Sequence, residues 1–468
     1  MLRHYDVACR VPSFAERRSP GKPRAIAKIR RHEGPLLTRY NRPYYLPLPK
    51  REVQRSLRLG LGRLRLHFLN HGLEEYRETL FHACLKNLVY DTQCEAERAP
   101  WLVQLLTPEQ EVELARLLLQ ALSKTRNSRD RSQQCGLCFH LARRGHSEAR
   151  QALYQGFRIT RDGEIVAADE IIDLDGADGL RWVSQQALQC RWLRDRQETL
   201  KNFVWQYESR AGKGSARSVF ASCPKLDANW PGGHTATFPG EGGRAWQQAN
   251  AEFAALSVGE VLAKIHSSTS RYSIQGLKAW AKAATREKQT EIADAFMDES
   301  DPHRLGHLLT VFQQKPLSIK SSGHVSRLLA LADHQEQWVR FRANQALAEV
   351  KHPAVRDRAI SQLKAKNWFQ SEVLPLKSNL MPGDSDLFDR HLRFTYDSFQ
   401  HHRLIGDLVH ILQANPWPEL LNVMLFVYET SPCTNCRCEV YQLMSNQSIA
   451  PEWVTCEWPH DAYHHWEA

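Results

Sequence analysis

From Leu57 onward the apolar residues of this chain return at three- and four-residue steps, and glycines or prolines interrupt them at short intervals. A period near 3.6 puts such residues on one stripe of a helix, and each stripe has to be covered by another element. Leu57–Phe68 and Leu73–Tyr90 open the pattern. In the second of these, Leu73, Tyr76, Leu80, Ala83, Cys84 and Asn87 share a face. Thr107-Pro108-Glu109-Gln110 predicts a helix start, with Thr107 as cap, Pro108 at the first helical position and Gln110 completing a capping box. Two further helical stretches end at Gly145 and Gly156. Helix, glycine, helix, glycine is the rhythm of stacked hairpins, so an all-α fold is expected.

Composition divides the chain. Residues 1–56 hold Pro12, Pro20, Pro23, Pro35, Pro43, Pro47 and Pro49 among basic residues and show no apolar period, which predicts a disordered basic leader. Residues 57–209 read as an N-terminal array of helical hairpins. Residues 210–244 contain Gly212, Gly214, Gly232, Gly233, Gly240, Gly242 and Gly243 with Pro224, Pro231 and Pro239, and are expected to form a loop or linker. Residues 245–468 read as a second array.

Charge follows the same division. Between Met1 and Arg58, fifteen Lys and Arg face four Asp and Glu, although the whole chain carries a net charge of +10. The other 410 residues are therefore close to neutral, at −1. A body that grips a phosphate backbone usually carries a basic excess. No apolar run is long enough to span a bilayer, and the start of the chain lacks the apolar core of a secretory signal. Eleven thinly spread cysteines do not make a disulfide framework, so reduced thiols in a cytoplasm are expected.

The most regular stretch is Leu328-Leu329-Ala330-Leu331-Ala332-Asp333, a short turn, and then Val339-Arg340-Phe341-Arg342-Ala343-Asn344-Gln345-Ala346-Leu347-Ala348-Glu349-Val350. Val339, Ala343, Ala346, Leu347 and Val350 make one apolar stripe, whose small residues let two helices approach closely. A restart follows at His352-Pro353-Ala354-Val355. This stretch resembles the HEAT repeat, with a leucine-rich first helix, an Asp at the turn and Val-Arg-x-x-Ala-x-x-Ala-Leu in the second helix. The resemblance implies a HEAT-like α-solenoid, with Asp333 and Arg340 helping to join neighbouring repeats. The chain also looks similar to a group of bacterial HEAT-like proteins at Ser431-Pro432-Cys433-x-x-Cys436-Arg437, a likeness that supplies no function.

Two readings compete at the C-terminus. Cys433 and Cys436 with Cys456 and His460 have the composition of a zinc site. Against this, Ser431-Pro432 reads as a helix start, and Cys433, Cys436, Val440, Leu443 and Met444 fall on one helical face, where cysteine packs as a small hydrophobe. Packing is preferred, and no cofactor is expected. Cys135 and Cys138 are read as core in the same way. Asp173–Gly179 lacks the Gly and Glu positions of a calcium loop and reads as a capping turn. Gly212-Lys213-Gly214-Ser215 lacks the phosphate-loop spacing.

No catalytic motif emerges, and the expected function is a non-enzymatic scaffold that binds a protein partner along a concave helical surface. Arg340, Arg342 and Arg356 are the candidate binding groups. The alternative is a nucleic-acid-binding HEAT-like protein, including a DNA glycosylase-type enzyme, which would need a basic groove and a catalytic acid.

Overall fold

The computed structural model describes residues 47–89 and 98–465, apart from 162, 194, 232–238, 269–273, 275, 314–321, 367, 369–370 and 395–397. Most of the expected leader lies outside the described residues. Its C-terminal end does not. Helix α1 (Lys50–Leu59) starts seven residues earlier than the periodicity suggested and buries Val53, Ser56 and Leu57. It is short and rich in charge, so its apolar stripe is too thin to stand out from sequence.

The first array continues with α2 (Arg63–His71), α3 (Arg77–Leu85), α4 (Arg98–Val103), α5 (Pro108–Leu122), α6 (Ser128–Arg143) and α7 (Ser147–Gly156). After a two-stranded antiparallel pair, Arg158–Ile159 with Ile165–Val166, come α8 (Ala168–Asp175), α9 (Ala177–Gln189), α10 (Arg196–Ala211), α11 (Ser215–Ala221) and α12 (Pro224–Asp227). The Thr107 capping box forms as expected. Thr107 Oγ1 accepts from Gln110 N–H, and Gln110 Oε1 accepts from Thr107 N–H.

The second array comprises α13 (Pro239–Ala254), α14 (Val258–Ser267), α15 (Leu277–Ala283), α16 (Arg286–Asp298), α17 (Pro302–Phe312), α18 (Ser322–Leu331), α19 (Gln337–Leu347) and α20 (Pro353–Ala365). A 3-10 turn at Leu374–Ser378 precedes α21 (Ser385–His391), α22 (Ser398–Ala414), α23 (Leu421–Thr430), α24 (Thr434–Asn446) and α25 (Glu452–Glu457), and short turns follow at Trp458–His460 and Ala462–His465. Among its described residues, the expected linker carries α11, α12 and the start of α13. Gly212 and Gly214 only end α10 and start α11, and α13 begins at Pro239.

Helices alternate between two layers. One holds α4, α6, α8 and α10 in the first array, and α13, α15, α17, α19, the Leu374–Ser378 turn, α22 and α24 in the second. The other holds α1, α3, α5 and α7, and then α14, α16 and α18. The α19 stripe is buried as expected, with Val339, Ala343, Ala346, Leu347 and Val350 all in the core. At Gly306 of α17, a Cβ would lie 1.5 Å from the Trp338 ring, so glycine is needed for Trp338 to seat between hairpins.

Buried amides tie one hairpin to the next. Asn379 donates to the Val350 and Pro375 carbonyls and accepts from His352 N–H. Asn415 repeats the device on the Lys377 and Ile411 carbonyls. Asp333 pairs with Arg358 of α20 at 2.9 Å and not with Arg340.

Among the described residues, the last turns pack against helices of the first array. The turn at Ala462–His465 touches both α24 and α4, so the second array runs in space into the first. A buried charge seam crosses this junction. Arg55 reaches Glu429 at 2.5 Å, and Arg63 holds both Glu429 and, at 3.0 Å, Glu457. Burial opposes ionisation of Glu429, yet Arg63 and Arg55 hold its carboxyl below the ordinary value. Glu457 is pushed up to about 7 by burial, against the pull of Arg63. Trp101 Nε1 donates to the His460 carbonyl, and a Cβ on Gly62 would stand 2.0 Å from the Glu457 carbonyl oxygen. At the other ends of the arrays, residues 231 and 239 are joined by at most about 30 Å of extended chain.

Candidate functional site: a thiol–imidazole cluster on the last hairpins

Neighbouring helices α22 and α24 bring His402, Cys433 and Cys436 together. Cys433 is the N-cap of α24 and Cys436 lies in its first turn, so the Cys-x-x-Cys spacing puts both sulfurs on one side of a helix start. Ser431, read from sequence as the cap, sits two residues before it. Its Oγ accepts from Cys433 N–H at 3.1 Å and donates to Cys433 C=O at 3.0 Å. Arg437, the next residue of the motif, secures this turn from beneath. It donates to the Ser431 carbonyl at 3.0 Å and forks onto Asp461 at 3.1 and 2.9 Å, and both partners of that ion pair are fully buried.

His402 approaches from α22, its Nε2 lying 3.7 Å from Cys436 Sγ. The three ligand atoms all lie within 4.8 Å of one another. Cys433 is buried, and Cys436 and His402 are half-buried. The hydrogen bond from the Cys436 side chain holds the Cys433 thiol well below its ordinary value against the effect of burial, and His402 and the Cys436 backbone add to it. Cys84, Cys135 and Cys138 go the other way. Burial alone pushes Cys84 up to about 12, and Cys135 and Cys138, both core residues as expected, are also raised. His401, the neighbour of His402, is a core residue whose ring is hydrogen-bonded to the Thr430 carbonyl at 3.1 Å and pushed down to about 4 by burial.

Of the four residues expected at a zinc site, the fold unites Cys433 and Cys436 and leaves out the other two. Among the described residues the soft-ligand group is His402, Cys433 and Cys436, and neither Cys456 nor His460 belongs to it. His460 lies in the turn whose main-chain carbonyl is held by Trp101. In sequence the adjacent pair His401-His402 reads as solvated rather than ligating, because thirty-one positions from a cysteine pair is no recognisable ligand spacing. The packing reading is partly met: Cys433 and Val440 are buried, but Cys433 caps the helix rather than continuing its stripe.

The three candidate binding arginines are engaged within the chain. Arg340 donates to the His334 and Gln335 carbonyls at 2.7 and 3.0 Å. Arg342 donates to Gln313 at 3.1 Å. Arg356 holds both carboxylate oxygens of Asp384 at 2.6 and 2.8 Å. What sequence reasoning missed is the residue between the first two. The Phe341 ring stacks on the Arg403 guanidinium at 4.6 Å, with Phe399 on Arg403 at 5.0 Å. Phe399 is 51% exposed and nearby Phe394 50%.

One turn further along α22, Asp407 is buried and its carboxyl is pushed up to about 8 by burial, against a hydrogen bond from Ser371 and the charge of Arg403. Its Oδ2 has no hydrogen-bond partner among the described residues. Ser371 itself is buried with φ of 58°, a left-handed conformation unusual for a residue with a side chain. Comparison of the chain with protein-family models, with curated proteins and with solved structures finds no match.

Proposed function

We propose that the chain is a HEAT-like helical-repeat scaffold that holds a protein partner on its second array, at the patch formed by Phe341, Phe399, Arg403 and Phe394. The observation that carries this reading is the Arg403 guanidinium stacked between Phe341 and Phe399, with Phe399 half exposed. Aromatic residues and arginine dominate the energetic centres of protein interfaces, where their area is large and their conformational freedom already restricted. Here stacking fixes the arginine before any partner arrives. Arg342, Arg356 and Arg358 of this array are engaged between neighbouring elements, which favours a rigid platform over a phosphate-binding groove. No helix among the described residues is long and apolar enough to cross a membrane, and we place the protein in the cytoplasm on its odd number of thinly spread cysteines.

Nucleic-acid binding is the competing reading. Asp407 is the acid a glycosylase-type enzyme would call on, but its side chain is 5% exposed and lies beneath the surface. A titration of DNA and RNA against a form starting at residue 47, at low and physiological salt, separates the two. Absence of binding by that form supports the scaffold. Binding with a steep loss on adding salt overturns it.

A further inference from the structure

We infer that His402, Cys433 and Cys436 form a zinc site with three protein ligands and a fourth position open to solvent or to an incoming group. The argument starts from distance. Zinc bound tetrahedrally at about 2.3 Å from sulfur and about 2.0–2.1 Å from imidazole nitrogen sets a sulfur–nitrogen edge of about 3.6 Å. Cys436 Sγ and His402 Nε2 stand 3.7 Å apart. A disulfide between the two cysteines is the rival use of a Cys-x-x-Cys pair, in which His402 would serve the thiol chemistry instead of a metal. Two sulfurs and one imidazole nitrogen converging on one point suit a borderline-soft divalent ion.

The site is also built. Its turn is clamped from both sides, by Ser431 through the Cys433 backbone and by the buried Arg437–Asp461 pair through the Ser431 carbonyl. Outer partners that fix the backbone of a ligand are what a preorganised metal site needs. Cys433 lies on the closed side and the half-buried Cys436 and His402 on the open one, so a fourth ligand enters past them. Binding releases to water whatever thiol protons the two cysteines still carry. The inference stands apart from the partner-binding patch, and either can fail alone.

The test uses the full chain, purified with reductant and dialysed against zinc, with bound metal measured by elemental analysis. About one zinc per chain is expected, removable by a chelator. Cobalt should replace it and give sulfur-to-cobalt charge-transfer absorption with the strong visible bands of a tetrahedral site. Cys436→Ser should abolish the charge-transfer signature of two thiolates and, like His402→Ala, weaken zinc at least about tenfold. Cys456→Ser should leave stoichiometry and spectrum unchanged. Far-UV circular dichroism on each variant establishes that it is folded, and Cys436 and His402 are chosen because they are partly exposed. No stoichiometric metal in the reduced wild-type chain, an intact cobalt spectrum in His402→Ala, or loss of metal in folded Cys456→Ser would each overturn the assignment. Added imidazole should shift the cobalt bands, and a spectrum indifferent to it contradicts the open position.

Discussion

At the residue scale the chain places charge in its interior and offsets it by pairing. Arg437 and Asp461 satisfy each other completely, which is the condition under which a buried ion pair is tolerated. Asp407 departs from that rule, with one oxygen unpartnered and a carboxyl that stays protonated up to about pH 8. In the unfolded chain the same group ionises near pH 4. Between these values the folded state binds the extra proton, so the Asp407 contribution to stability is full below about pH 4 and is lost as pH rises through 8. Asp407→Asn should therefore raise stability at pH 8 by about 1–3 kcal/mol relative to wild type and flatten the decline, as read by urea unfolding across pH 5–9. A variant that is equally destabilised at every pH would show that the carboxyl is paired after all. None of this is visible in sequence, where Asp407 is one acid among fifty-two acidic residues. The Cys433–Cys436 pair was visible, because its spacing is local. Its third member was not, because His402 arrives through the packing of one hairpin on the next.

Individual helices were the most legible level. The Thr107 box, the Pro353 start and the α19 stripe all depend on residues within one or two turns of each other, and all three form. In the 210–244 segment the glycines together suggest a loop, yet helices form among its described residues. Taken one by one, Gly212 and Gly214 have positive φ and punctuate two helices, which is the ordinary use of glycine at a helix boundary. Gly306 has the opposite use, since it lies inside a helix to admit Trp338. Gly306→Ala improves helix propensity and yet should destabilise the chain by about 1–3 kcal/mol, since the Trp338 ring must move. Differential scanning calorimetry on this variant beside one at Gly259, where a Cβ meets nothing, separates packing from propensity.

For the whole molecule the feature absent from any local pattern is the packing of the last described turns on helices of the first array. Periodicity predicts hairpins but cannot say that α24 and its following turns lead into α4, since those residues lie more than three hundred positions apart. The seam there should behave as a unit. Arg63→Ala leaves two carboxylates buried without their shared partner and should cost about 3–5 kcal/mol. If a protease site is introduced between residues 231 and 239 and cut, the two halves should still elute together in the wild-type background and separate more readily with Arg63→Ala. Separation of the wild-type halves after cutting would contradict the closed arrangement.

The scaffold reading concerns the Phe341–Phe399–Arg403 patch, and its most direct test is a photoreactive amino acid at position 399 in the full chain, illuminated in the cells that make it. The account predicts a discrete protein adduct that Arg403→Ala diminishes and that is absent when the same probe sits at the exposed position Lys201 on the first array. A nuclease-sensitive adduct at position 399, or labelling there no greater than at Lys201, would contradict it.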